Sequence, residues 1–146
     1  VPRLTRERVV RAPPERVWSL LTDPAERARW LRSMKEEPAT EPMRVGARVK
    51  SRRTAPGSRS TYESTVRTLE PPRLLAMEIR RNGEPAGTGG YELHKHADGT
   101  RVVAFAEYEL KGAQKLLGPV VHAGLVKELD ADLAGLAARA ENDTGR

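Results

Sequence analysis

The sequence predicts an α+β chain in which a curved antiparallel sheet, of about six to seven strands, wraps around one long C-terminal helix. Three observations carry that prediction. Val9 to Trp30 reads as a strand end, a proline-opened helix, an Asp-Pro break and a second short helix. The middle of the chain then alternates β-rich runs with connections so short that neighbouring strands must be antiparallel. From Gly112 onward the apolar period lengthens to three and four residues, which is helical.

Residues 3–11 alternate loosely and read as the first strand, stopped by Ala12-Pro13-Pro14. Pro14 suits the first turn of a helix, because its missing N–H would be unpaired there anyway. Val17, Leu20 and Leu21 give that helix an apolar stripe. Thr22-Asp23-Pro24 ends it, and Asp23 is placed to cap a second helix from about Ala25 to Leu31. Met34 to Thr40 and Ala47 to Thr54 follow as strands. The turn Ala55-Pro56-Gly57-Ser58 joins the latter to a strand from Arg59 to Leu69. Pro71-Pro72 precedes a strand from Leu74 to Arg80, and Asn82 to Gly87 reads as a turn. Thr88 to Lys95 and Arg101 to Lys111 form a hairpin around Ala97-Asp98-Gly99-Thr100. Val121, Leu125, Leu129, Leu133, Leu136 and Ala140 then mark an amphipathic helix of about seven turns. Pro119 either begins that helix or kinks it, which would make Ala113 to Leu117 a separate turn, and residues 141–146 read as a frayed polar tail.

The 146 residues are expected to form one domain, with a core of ordinary size. No apolar run of about 18 residues occurs, so no membrane span is expected. The opening Val1 to Arg6 lacks the apolar segment of a secretory signal, and a cytoplasmic location is the expectation. The absence of cysteine excludes disulfides and thiolate metal sites. The net charge of +6 is uneven: residues 1–73 hold 17 basic and 9 acidic groups, against 9 and 11 in the remainder. Such a basic half can attract nucleic acid, anionic lipid or an acidic ligand. No aromatic residues interleave with the arginines as stacking on single strands requires, which argues against a nucleic-acid partner.

The residues resemble the START-like, helix-grip (SRPBCC) superfamily, specifically its polyketide cyclase/dehydrase-like branch. The resemblance is carried by Ala12-Pro13-Pro14-Glu15-Arg16-Val17-Trp18, by Leu21-Thr22-Asp23-Pro24 with Trp30, and by Gly46. Leu69-Glu70-Pro71-Pro72-Arg73-Leu74, Asp98-Gly99-Thr100-Arg101-Val102 and Leu133-Ala134-Gly135-Leu136 ahead of Glu141 extend it over nearly the whole chain. The resemblance implies a helix-grip fold around an apolar pocket for a lipid, polyketide or similar metabolite. In a minority of members it implies cyclisation or dehydration. No nucleotide loop or zinc signature is present, and no cofactor is expected. Two departures stand out. Only Gly46 appears where the chaperone-activating branch is glycine-rich, and the six aromatic residues are fewer than the aromatase/cyclase branch uses to line its pocket.

Strand alternation sorts the candidate site residues. Ser51 and Arg53 share a face with Val49; Tyr62 and Ser64 share one with Val66; Leu75, Met77 and Ile79 share another. Tyr91 pairs with Leu93, and Val102, Ala104, Ala106, Tyr108 and Leu110 line up on the last strand. An inward face of this kind is aliphatic with Arg53, Tyr62, Tyr91 and Tyr108 as polar points, a composition suited to a small-molecule site. The expected ligand-binding set is therefore Arg53, Tyr62, Ser64, Met77, Tyr91, Ala106 and Tyr108, with His122 and Leu125 from the long helix. Arg53 could neutralise a carboxylate or enolate, a tyrosine could donate to a carbonyl, and His122 could move a proton near neutral pH. The bland alternatives are rim arginines, solvent-facing hydroxyls and a hydrogen-bonded core histidine.

His94 and His96 share a strand face with no third ligand in view, so no metal is expected. Glu63, Glu78, Glu92 and Glu107 alternate with apolar neighbours and read as solvent-facing, while Trp18 and Trp30 read as core or helix-packing residues, with a place at the pocket mouth as the alternative for Trp30. Three functions remain open. The first is binding of a hydrophobic small molecule; the second is a cyclase/dehydratase-like enzyme using Arg53, Tyr108 and His122. The third is a basic surface module, resembling the ribosome-association-toxin branch. The residues do not decide the oligomeric state.

Overall fold

The computed structural model describes residues 3–39, 41–108, 110 and 112–142. In chain order the elements are β1 (Arg3–Val10), α1 (Pro14–Thr22), α2 (Pro24–Trp30), β2 (Met34–Glu36), β3 (Arg48–Arg53) and β4 (Thr61–Glu70). They continue with β5 (Leu74–Arg81), β6 (Glu84–His96), β7 (Gly99–Glu107), a 3₁₀ turn (Gly112–Leu117) and α3 (Gly118–Asn142). The seven strands form one antiparallel sheet in the order β1-β7-β6-β5-β4-β3-β2. The sheet curls around the helical layer, so the expected α+β architecture is the one found.

Local chemistry explains the first helices. Pro14 opens α1, whose Val17, Leu20 and Leu21 are fully buried. The Asp23 side chain accepts from the Ala25 N–H at 2.9 Å and caps α2, with Pro24 in its first turn. Trp30 ends α2 with 1% of its surface exposed; its indole N–H donates to the Leu20 carbonyl at 2.7 Å, and it meets Tyr91 edge-on at 6.0 Å. It is a core residue.

The main differences from the sequence expectation lie in the strands and the turn at Asn82. Strand β2 ends at Glu36, and Thr40 lies outside the described residues. The Asn82-to-Gly87 turn shrinks to Asn82-Gly83, both at positive φ (50° and 85°), which is the twisted two-residue turn that antiparallel strands favour. Strand β6 therefore starts at Glu84 and includes Pro85, which sits beyond the last β6–β7 pair (Thr88 against Glu107), where β5 supplies the pairing. Strand β7 stops at Glu107, so Tyr108 and Leu110 follow the strand, and Lys111 lies outside the described residues.

Helix α3 begins at Gly118 with Pro119 in its first turn, and Gly112–Leu117 is the separate turn. Its described end is Asn142, and residues 143–146 lie outside the described residues. Its two halves behave differently. Asp132, Leu133, Gly135, Leu136, Ala137 and Ala140 are buried, whereas the half from Gly118 to Lys127 has no buried residue. The stripe predicted from Val121 to Ala140 is therefore seated only in its C-terminal part. The backbone reason is Gly135: a Cβ there would stand 2.2 Å from the Trp30 carbonyl oxygen, so α2 and α3 touch backbone to backbone at that point. Within the sheet, α3 packs chiefly on β1 and next on β7.

Candidate functional site

Antiparallel partners lie on the same face of a sheet, so the register determines which side chains meet. Ser51 opposes Tyr62, Ser64 opposes Ile79, Met77 opposes Gly89, Gly89 opposes Ala106, and Tyr91 opposes Ala104. Arg53, Tyr62, Ser64, Met77, Tyr91 and Ala106 thus share the concave face that looks toward α3. That face has two regions. Val66, Leu75, Met77, Tyr91, Leu93, Val102 and Ala104 join Trp30, Leu133 and Leu136 in one closed core. Arg53, Ser64, Ile79 and Ala106 on the sheet, and Leu125 and Leu129 on α3, are only half-buried. This less covered part of the face lies opposite the N-terminal half of α3, which holds no buried residue.

One charged group reaches across it. The Arg53 guanidinium donates from Nη2 to the Tyr62 hydroxyl oxygen at 2.7 Å and approaches the Glu128 carboxylate from Nη1 at 3.3 Å. It also lies 5.5 Å from the centre of the Tyr62 ring. Its Nε–H is buried with no hydrogen-bond partner. Burial raises the Glu128 carboxyl pKa above the ordinary glutamate range; the Arg53 charge pulls it partly back, and the Asp132 charge adds to the rise. A raised carboxyl pKa means that the ionised form is the costly one in the folded state. Below the unfolded value both states carry the proton and the cost is absent; it develops as pH rises through that value to the folded pKa. Glu128→Gln is therefore expected to raise the melting temperature slightly at pH 7, with the gain gone at about pH 3.5, below the ordinary glutamate pKa. Calorimetry at the two pH values checks this.

A second polar cluster is structural. Arg27, 5% exposed, forms a two-pronged pair with Glu36 (2.9 and 2.8 Å) and donates to the Leu21 carbonyl at 2.8 Å. Burial alone would lower its pKa, but the charge and hydrogen bonds of Glu36 outweigh that and leave it raised. Asp132 on α3 accepts from the Arg32 and Ser33 amides at 2.8 Å each and from the Ser33 hydroxyl at 2.5 Å. Burial, reinforced by the Asp132 charge, pushes the Tyr91 hydroxyl pKa well up, so it is neutral at any ordinary pH. Tyr91 and Met77 are accordingly members of the buried core cluster.

The expected proton-transfer candidates sit elsewhere. His122 is exposed, and its Nδ1 lies 3.5 Å from the hydroxyl of Tyr108, itself half-buried beyond the end of β7. The inward orientation expected of His122 fails because the N-terminal half of α3 does not seat against the sheet. On the outer face His94 contacts Glu92 at 3.3 Å, Arg67 pairs with Glu78, and Arg3 bridges Glu92 and Glu107. Two open depressions, of about 630 and 580 Å³, lie on that side and at the β2–β4 edge. The first is walled by Arg48, Glu63, Thr65, Arg67, Glu78 and Arg80, all polar. Neither depression is lined by Arg53, Ile79, Ala106, Leu125 or Glu128.

Sequence reading misses Glu128, Asp132 and the Arg27–Glu36 pair as organising groups. A signal existed for the first two. Each interrupts the apolar stripe of α3, Glu128 beside Leu125 and Leu129, Asp132 beside Leu129 and Leu136, and a charge on such a stripe needs a partner.

Comparison with known proteins agrees with the fold. Solved structures with the same fold include protein CV1439 of Chromobacterium violaceum, at 22% identity over 97% of this chain and 99% of that one, with a TM-score of 0.75. TTHA0849 of Thermus thermophilus is 27% identical over 97% of this chain and 98% of its own, with a TM-score of 0.72. DynU16, a protein of the dynemicin biosynthetic locus, matches at 21% identity over 92% of this chain and 46% of its own, with a TM-score of 0.67. No curated protein matches the chain. No helix among the described residues is long and apolar enough to cross a membrane. The sequence profile described as polyketide cyclase/dehydrase and lipid transport matches residues 1–141, and the chain belongs to that family.

Proposed function

We propose that this protein binds an apolar small molecule, a lipid, polyketide or similar metabolite, in the groove between the concave face of β3–β6 and the N-terminal half of α3. One observation carries the reading. Ile79 and Ala106 on the sheet and Leu125 on α3 are half-buried, and the cationic Arg53 stands half-buried on the same face of the sheet that elsewhere forms the core. Apolar area supplies affinity for such a ligand, and a few fixed polar groups supply orientation. The family description, which includes lipid transport, supports the same reading.

The cyclase/dehydratase alternative would assign proton transfer to the Tyr108–His122 pair. That pair is exposed on the histidine side, where water competes for its protons, and binding without turnover is the better-supported function. Native mass spectrometry of the freshly purified protein, followed by denaturing extraction, tests this. A stoichiometric apolar adduct is the expected result. An apo mass that stays unchanged after incubation with lipids and polyketide-like aromatics would count against a binding groove.

A further inference from the structure

One hydrogen-bond donor on the concave face has no acceptor among the described residues. Arg53 offers three kinds of N–H: one toward Glu128 at 3.3 Å, one to the Tyr62 oxygen at 2.7 Å, and the buried Nε–H with no partner. Because the Tyr62 oxygen accepts from Arg53, its own proton points elsewhere and is free to donate to a ligand. Buried donors are nearly always satisfied, so an orphan at a concave site marks where a partner atom is missing. Glu128 is the nearest negative charge, and it meets Arg53 only through Nη1, at a length greater than good charge-assisted bonds show. Its carboxylate, 21% exposed, is held there at a desolvation cost.

We propose that the ligand of this groove carries an oxyanion, a carboxylate in the simplest case, which occupies the Arg53 Nε–H and the Tyr62 hydroxyl and displaces Glu128 from Arg53. The inference rests on the groove being the binding site. The aliphatic body lies along Ile79, Ala106 and Leu125, and the charged head lies at the β3 end. Glu128 is then an internal counter-ion: it neutralises Arg53 in the empty groove and keeps neutral apolar molecules from gaining anything at that end. A carboxylate offers two oxygens for the planar guanidinium fork, which an alcohol cannot match.

Calorimetric titration with dodecanoate below its micelle concentration and with dodecanol below its solubility limit, at about pH 8 where the acid is ionised, separates the possibilities. The wild-type protein is expected to bind dodecanoate about tenfold or more tighter than dodecanol, as expected of a hydrogen bond to a charged group. Glu128→Gln, a near-isosteric change, should tighten dodecanoate severalfold and leave dodecanol unchanged, because the competitor for Arg53 is gone. Arg53→Gln should erase the preference for the acid; if that variant does not fold, the Glu128→Gln pair of titrations carries the test. Equal affinity for acid and alcohol, unmoved by Glu128→Gln, overturns the oxyanion inference and leaves the binding groove standing. Failure of both probes to bind any of the proteins overturns the inference together with the groove on which it rests.

Discussion

Replacing Arg27 with alanine is expected to destabilise the fold by about 3–5 kcal/mol, the usual cost of breaking a buried ion pair from one side. The substitution removes both bonds to Glu36, the bond to the Leu21 carbonyl and the stacking 5.5 Å from the Trp30 ring centre. Glu36, with 15% of its side chain exposed, is left as a nearly buried carboxylate with no cation. The double change Arg27→Met, Glu36→Leu removes both charges and is expected to recover most of that loss, since apolar packing can replace a buried pair at little net cost. Urea denaturation of wild type, the two single variants and the double variant measures the coupling directly. If the single Arg27→Ala change cost less than about 1 kcal/mol, the pair would be behaving like a surface contact.

Two glycines on α3 are expected to respond to the same substitution with opposite signs. Gly124 stands in the unseated half, and a Cβ added there meets nothing within 4 Å. Gly124→Ala should stabilise by about 0.5–1 kcal/mol through helix propensity alone. Gly135 is 11 residues further on, where an added Cβ would be 2.2 Å from the Trp30 oxygen and 3.1 Å from Arg32 Nε. Backbone cannot yield as a flexible side-chain end can. Gly135→Ala should therefore cost about 3 kcal/mol, its propensity gain overwhelmed by overpacking. Thermal melts of the two variants would show one rise and one larger fall. Matching shifts would mean that α3 is seated evenly along its length, and there would be no groove.

The elements that could be read from the sequence are those specified by near neighbours. Pro14, Asp23 and Pro24 determine their helices within one turn, and the period-two pattern of β4, Tyr62 and Val66 inward with Glu63 and Thr65 outward, determines its face. Because register and face are linked, the concave set from Arg53 to Ala106 came out together. What stayed hidden depends on contacts distant in sequence. Asp132 reaches Ser33 across 99 positions, and nothing near either residue announces the other. His122 misled because helical periodicity tells which residues share a stripe but not how far along the helix the stripe is covered. The turn at Asn82 misled in another way: Pro85 and Gly87 look like breakers, yet Gly87 adopts a φ of 126° where a Cβ would be only 2.0 Å from the Glu107 oxygen, and the strand runs through it.

The chain contains one isoleucine, Ile79, and its Cδ1 lies over Gly89 on the concave face, 3.2 Å from where a Cβ would be. Selective ¹³C labelling of isoleucine δ1 methyls therefore yields a single resonance that reports on the groove. Titration with dodecanoate is expected to shift that resonance and to give nuclear Overhauser contacts from the Ile79 methyl to the alkyl chain. An unmoved Ile79 methyl in a protein that has demonstrably taken up the ligand would put the binding site elsewhere and contradict the groove.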